Sequence, residues 1–338
     1  MNIQHNISLK AHNTFGMDVC AASFISVNNT EMLQQILEDH KLTKEGILVL
    51  GGGSNLLFTR NCNELVLHNQ INGIDKIKED NDHVWIKAGA GVPWHQLVMH
   101  CIEQDWAGLE NLALIPGSVG ASPMQNIGAY GVEIKDVFYS LEAYHIHDNN
   151  KVLFTAADCN FGYRESVFKR KYKGQFIITS VTYKLQKQPI FHTEYGAISN
   201  ELDKMGVENL TIRNIAEAVM RIRRSKLPDP AVVGNAGSFF KNPEIETAKF
   251  LELKSNYPEM VGYRINEKNT KVAAGWLIES CGWKGFRRGD AGCHPHQALV
   301  LVNYGAATGN DIVQLSEDIV QSVAEKFNIN LEREVNIY

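Results

Sequence analysis

Three glycine-rich segments fall within residues 51–121, each beside a short apolar run: Gly51-Gly52-Gly53-Ser54-Asn55, Ala88-Gly89-Ala90-Gly91-Val92 and Ile115-Pro116-Gly117-Ser118-Val119-Gly120-Ala121. Glycine has no Cβ and reaches φ > 0, so such turns let backbone N–H groups come close around a phosphate. The first segment lacks the Gly-Lys-Ser/Thr ending of a nucleotide-binding P-loop. It also fails the GxGxxG fingerprint, because Leu56 stands where the third glycine belongs, and in the second segment Trp94 does. A plain Rossmann domain is therefore disfavoured. Any one segment reads equally well as a tight turn; the three together suit a long diphosphate ligand held across several loops. Gln125-Asn126-Ile127-Gly128-Ala129-Tyr130-Gly131 adds side-chain amides that need partners if buried, and the donor–acceptor edge of an isoalloxazine ring could supply them.

The 338 residues predict two or three domains. With 44% hydrophobic and 21% charged residues, the chain can build real cores. A net charge of -5 and a pI near 6.2 argue against a nucleic-acid partner. The one basic run, Phe168-Lys169-Arg170-Lys171-Tyr172-Lys173, has no second cluster to support it and reads as a solvated turn. The six cysteines show no CxxC spacing and read as reduced thiols. Cys281, Cys293, His294 and His296 lack the paired spacing of a zinc site, so no metal is expected. The N-terminus shows no signal-peptide pattern, and no stretch approaches the ~20 apolar residues of a membrane span. A cytoplasmic protein is expected, with no membrane partner.

Ile47-Leu48-Val49-Leu50 reads as a buried strand running into the first glycine turn. Thr30 can cap a helix carrying Met32, Leu33, Ile36 and Leu37 on one side. Further strands are expected at Leu65–Leu67, Val84–Ile86, Leu141–Ile146, Phe176–Leu185 and Ala298–Val302, and a helical stretch at His95–Cys101. Leu210–Arg223 reads as an amphipathic helix with Thr211 as cap, stopped by Leu227-Pro228. Val272–Cys281, ended by Gly282, and Asp311–Phe327 complete the helices of the last third.

Gly234-Asn235-Ala236-Gly237-Ser238-Phe239-Phe240-Lys241-Asn242-Pro243 is the stretch richest in chemistry. Gly237 would let the backbone approach a ligand, Ser238 presents a hydroxyl, and the phenylalanines anchor the turn. A capping serine in a loop is the plain alternative. A serine hydrolase is disfavoured because the strand–turn–helix GxSxG signature is absent.

Asn13-Thr14-Phe15-Gly16, Gly51–Asn55, Ile115–Ala121, Gln125–Gly131 and Gly234–Pro243, in this order, resemble the UDP-N-acetylenolpyruvoylglucosamine reductases, in their longer type I form. The likeness runs from Asn13 to Glu334. It implies an α+β fold: a two-subdomain FAD-binding domain of the vanillyl-alcohol oxidase (PCMH) type plus a smaller α/β substrate-binding domain. The expected division is residues 1–70 as the first FAD subdomain, with 329–338 returning to it, 71–226 as the second, and 227–328 as the substrate domain. The resemblance implies FAD contacts from Gly51, Gly52, Gly53, Ser54, Asn55 and Leu56, from Pro116, Gly117, Ser118, Gly120 and Ala121, and from Gln125, Asn126, Gly128, Ala129 and Tyr130. No histidine adjoins the Gly51 turn, so FAD should be bound non-covalently, with NADPH as co-substrate.

The implied reaction reduces UDP-N-acetylglucosamine enolpyruvate to UDP-N-acetylmuramate, a cell-wall step serving cell shape and division. Hydride transfer leaves a carbanion delocalised into the carboxylate. The family motif makes Ser238 the donor of the proton that follows, which a hydroxyl can be if held within reach. Arg164 is the implied cation, able to fork onto a carboxylate, and Glu334 the implied carboxyl, best protonated beside an anion. Without the resemblance each of the two reads as a surface ion-pair member. Tyr195, Lys226, Asn242, Arg223 and Gln297 match substrate-binding positions, Tyr195 as the residue that closes over the diphosphate. Asn336 departs from the arginine that many members carry after Glu-Val. A monomer is expected. The competing readings are an FAD-dependent oxidase or dehydrogenase of the same fold acting on another sugar or alcohol, and a non-catalytic binding module.

Overall fold

The computed structural model describes residues 2–39 and 44–338, which fall into two compact units. The first comprises residues 2–7, 20–39, 44–52 and 62–225. The second gathers residues 8–19, 53–61 and 226–338. The segments 8–19 and 53–61 thus go with the C-terminal third. Their local bonds show why: Asn235 N–H donates to Thr14 O at 2.9 Å, Asn303 Nδ2 to Phe15 O at 2.9 Å, and Leu56–Leu57 pairs in parallel with Asn336–Ile337.

In the first unit, Cys20–Val27 and Ile47–Leu50 flank Cys62–Asn69 in parallel. The helix Thr30–Glu38 packs Leu33 and Ile36 onto this sheet's core. Its cap is Asn29, whose side chain accepts from Met32 N at 2.8 Å; Thr30, expected as the cap, is the first helical residue. Asn29 has the extended backbone that an N-cap needs, and asparagine is among the strongest caps.

A second, five-stranded antiparallel sheet runs in the order Lys151–Thr155, Phe138–His145, Phe176–Gln186, His83–Gly89, Ile74–Glu79. Ile178, Val181, Tyr183 and Leu185 join the helices Trp94–Glu103 and Ile212–Lys226 in one core. Thr211 caps the latter helix through Asn214 N, as its position predicts, and the helix ends just before Leu227-Pro228.

The second unit carries an antiparallel sheet in the order Gly234–Ser238, Val300–Asn303, Ala291–Cys293, Arg287–Arg288. The helix Gly309–Phe327 buries Ile312, Leu315, Ile319 and Val323. Thr308 and Asp311 close its start as a capping box. Among the described residues, no helix is long and apolar enough to cross a membrane.

Candidate active site

In the first unit, the strand Ile47–Leu50 delivers the chain to Gly51, and the short helix Val119–Ala121 follows Ser118. The two turns lie against each other. A Cβ on Gly52 would sit 2.9 Å from Gly117 Cα, and one on Gly51 would sit 2.5 Å from Ser118 Oγ. Side chains at either glycine would wedge the turns apart. Among the described residues, no protein group accepts from the N–H of Gly51, Gly52, Gly117 or Ser118. Four backbone donors on two abutting turns, with Gly52 and Pro116 exposed, are what an anionic diphosphate needs.

The middle glycine segment behaves differently, which corrects the expectation that all three turns share one ligand. Its N–H groups are satisfied internally: Gly89 donates to Gly73 O, Ala90 to Thr179 O, Gly91 to Ile71 O and Val92 to Gly89 O. A Cβ on Gly89 would lie 2.3 Å from Ile71 O, and one on Gly91 2.5 Å from Gln70 C. This segment is a packing floor: Val92 O and Ala90 O receive the N–H groups of Val119 and Gly120.

Gln125–Gly131 leads into a hairpin, Gly128–Ala129 against Val132–Glu133, closed by Tyr130 and Gly131 at φ +51° and +85°. Two successive positive φ angles are the hallmark of a two-residue type I′ turn. Next to it, Gly162 and Glu165 close a second tight turn holding Arg164 at φ +54°. Arg164 Nη2 donates to Gly128 O at 2.8 Å. Buried Asn126 knits both turns: its Nδ2 donates to Gly162 O at 3.0 Å and Glu133 Oε2 at 3.1 Å, while its Oδ1 accepts from Lys135 N. Its side-chain donors are thus engaged within the protein.

Tyr130 meets Tyr195 edge to face, ring centres 5.5 Å apart. Tyr195 is half-exposed just before the helix Gly196–Lys204. Asn111, absent from the sequence reading, ties this region together: Nδ2 donates to Tyr130 O at 3.0 Å and to His192 O at 2.8 Å, and its buried Oδ1 has no partner among the described residues. Arg223 donates through Nε to Leu114 O at 3.2 Å and, among the described residues, has no carboxylate partner. Burial first, and then the charge of Arg164, lower its pKa, partly opposed by Tyr130. Burial in turn raises the Tyr130 phenol, against the pull of Arg223. A buried guanidinium that feels the charge of a second and has no carboxylate partner among the described residues offers a receptor for an anion.

In the second unit, Ser238 ends the strand Gly234–Ser238 opposite Val300 and is exposed. Gly237 before it stands at φ +69° with open space where a Cβ would be. Phe239 and Phe240 behind it are buried, ring centres 5.3 Å apart. The C-terminal segment runs alongside: Glu334 N–H donates to Phe239 O at 2.8 Å, Arg333 bridges Phe240, and Lys241 N–H donates to Glu332 O at 2.9 Å. Glu334 therefore stands one residue from Ser238 across a backbone ladder, an approach no spacing could reveal. Asn55 Nδ2 donates to Glu334 O at 3.3 Å, and Asn336 returns two bonds to Asn55 O. The departure at Asn336 thus joins the C-terminus to the end of the first glycine turn.

The remaining substrate candidates are placed as follows. Asn242 Oδ1 accepts from Ala274 N at 2.9 Å at the start of the helix Ala274–Ser280. Gln297 Oε1 accepts from Leu299 N at 3.4 Å, and a Cβ on Gly275 would lie 3.2 Å from it. Lys226 is the exposed last residue of its helix. Sequence reasoning also missed His95 and Leu114, for which the chain carries no signal.

Comparisons with known proteins bear on this geometry. A family model described as FAD binding domain matches residues 21–148, and one described as UDP-N-acetylenolpyruvoylglucosamine reductase, C-terminal domain, matches residues 229–338. The UDP-N-acetylenolpyruvoylglucosamine reductases of Flavobacterium johnsoniae and Amoebophilus asiaticus are each 50% identical, covering 100% of this chain and 100% and 99% of theirs. The crystal structure of the reductase of that name (MurB) from Thermus caldophilus overlays with a TM-score of 0.69 at 26% identity, over 100% of this chain and 99% of the other. The fold is thus the α+β FAD-binding type with a distinct C-terminal domain.

Proposed function

The chain belongs to the UDP-N-acetylenolpyruvoylglucosamine reductase family, and from that premise we infer that it is an FAD-dependent oxidoreductase. It uses NADPH to reduce UDP-N-acetylglucosamine enolpyruvate to UDP-N-acetylmuramate, a peptidoglycan precursor. Full-length identity with reductases disfavours the oxidase alternative.

The first unit fits FAD by its unengaged donors. Gly51, Gly52, Gly117 and Ser118 would bind the diphosphate through backbone N–H, and the Tyr130 hairpin would lie along the ring. Gly120 and Ala121 belong to the same turns of this unit; Gln125, and Gly53, Ser54, Asn55 and Leu56 of the second unit, are further proposed contacts. When bound, FAD supplies the hydride relay, accepting from NADPH and delivering to the terminal enolpyruvyl carbon. Everything else falls to the chain's own side chains.

Ser238 Oγ holds the proton for the carbon beside the carboxylate. The observation that supports this role is the Glu334–Phe239 backbone bond, which pairs the segment carrying Glu334 with the residue that follows Ser238. Glu334 stabilises the charge that develops on the substrate carboxylate. Arg164 orients that carboxylate. Arg223 and Gln297 are further substrate contacts, Lys226 and Asn242 meet its phosphates, and Tyr195 closes over them. We further propose a cytoplasmic monomer whose product supports cell shape and division, with residues 227–328 forming the substrate domain.

The test is a flavin spectrum followed without air. NADPH should bleach a yellow protein, and the enolpyruvyl sugar nucleotide should restore the colour. In Ser238→Ala, bleaching should persist while turnover falls at least ~100-fold, the range of general acid catalysis. Unchanged turnover removes Ser238 from proton transfer; a protein that takes up no FAD removes the whole reading.

A further inference from the structure

Leu114 stands at φ +59°, in the left-handed region that a side chain with a Cβ disfavours. It immediately precedes the Ile115–Ala121 turn. Both of its peptide groups are caught. Its N–H donates to His95 Nδ1 at 3.1 Å, and its carbonyl accepts from Arg223 Nε at 3.2 Å. His95 comes from the first turn of the helix Trp94–Glu103 and Arg223 from the last turns of Ile212–Lys226. Two helices thus grip one strained peptide from opposite ends.

We propose that His95 is a positioning residue for the cofactor. With Nδ1 unprotonated, it clamps Leu114 in the left-handed conformation, which sets the Pro116–Ser118 turn for the flavin diphosphate and fixes Arg223 on the same peptide. The proposal rests on the reading of that turn as a diphosphate cradle. The chemistry is direct: an imidazole can accept the Leu114 N–H at Nδ1 only if its own proton is on Nε2. A doubly protonated ring would set one N–H against another. The surroundings guard the neutral form. Burial foremost, then Arg224 and Arg223, hold the His95 pKa below the ordinary histidine value. These two cations are the charged groups that act on it, and both oppose its protonation. The clamp is therefore intact at and above the usual histidine range and fails only when pH falls below it.

The experiment follows FAD fluorescence as flavin leaves the diluted holoenzyme, in wild type, His95→Phe and His95→Asn. Asparagine places Oδ1 where Nδ1 was and can accept the same N–H; phenylalanine cannot. His95→Phe should release FAD about tenfold faster, the scale of one lost hydrogen bond, and His95→Asn should stay within about twofold of wild type by the same reasoning. Wild-type release should quicken as pH drops below the histidine range, whereas His95→Asn should lack that step. A second variant guards against misfolding: Leu114→Gly tolerates the left-handed conformation unaided, so adding it to His95→Phe should restore FAD retention. Equal release from wild type and a folded His95→Phe overturns the clamp, and so does failure of Leu114→Gly to rescue an unfolded one. Failure of wild type to hold FAD instead overturns the flavin reading beneath it.

Discussion

Gly52 sits in a turn that follows a strand and Gly237 at an irregular bend inside the strand Gly234–Ser238, and the reasons for the two glycines are opposite. At Gly52 the φ angle is unremarkable and space is lacking: a Cβ would reach the Gly117 backbone at 2.9 Å. At Gly237 the space is open and the angle is the constraint, φ +69° with nothing within 4 Å of a Cβ. One turn is closed by its neighbour, so that two sets of N–H donors lie side by side. The other is bent so that the next residue, Ser238, projects its hydroxyl from an exposed position. Binding an extended anion calls for several close backbones. Delivering one proton calls for a single side chain presented into free space. The same residue type serves both because it lifts two different restrictions.

Gly234, four residues before Ser238, sharpens the contrast within one strand. A Cβ there would lie 2.3 Å from Phe15 O, so Gly234 is crowded as Gly52 is. Gly234→Ala should be the most damaging of the three, destabilising the protein by about 3 kcal/mol, the upper range for overpacking. A urea melt of the holoprotein measures it; a loss below 1 kcal/mol would mean that the Phe15 segment yields freely and crowding is a poor guide here. Gly52→Ala should follow, at about 1–3 kcal/mol by the same mechanism, but with a second signature. Parting the two turns should release FAD faster by at least roughly tenfold, as one or more diphosphate bonds lengthen. Lost stability with unaltered FAD retention would make the Gly52–Gly117 contact structural only.

The comparison also explains what the sequence could disclose. Gly309–Phe327 was legible because its apolar spacing matches a one-faced helix, a local property, whereas Ile47–Leu50 was legible as a strand but not as the buried one expected, since only Leu50 is buried and Val49 is exposed. The glycine turns were legible as turns but not by use. Ala88–Val92 has the same composition as its neighbours, yet its N–H groups all find acceptors inside the protein. Which donors remain for a ligand depends on long-range pairing, and composition does not encode that. Ser238 and Glu334 were singled out through a resemblance; their adjacency follows from the Glu334–Phe239 bond across distant segments. Leu114 was invisible for a plainer reason: leucine carries no preference for positive φ, so nothing in its identity signals a strained peptide held by His95 and Arg223. The helix cap at Asn29 rather than Thr30 is a one-residue error of the common kind, since both residues can cap.

Gly237→Ala should have the smallest effect on stability and the most specific effect on function. No atom blocks the added methyl, so the penalty is the left-handed conformation alone, roughly 1 kcal/mol for a residue with a Cβ. The chain can relieve it by rotating φ toward negative values, and that rotation would turn Ser238, the next residue, out of its present direction. FAD content and reduction by NADPH should therefore stay at wild-type levels, while the second half-reaction, return of flavin colour on adding the enolpyruvyl sugar nucleotide, should slow. Rapid-mixing absorbance of the two half-reactions separates these outcomes. Slowing confined to the second half-reaction would tie the bend at Gly237 to the aim of the Ser238 hydroxyl. Equal slowing of both would show that the bend shapes a surface common to both substrates, and full activity with a 1 kcal/mol loss of stability would reduce Gly237 to a turn residue with no part in the chemistry.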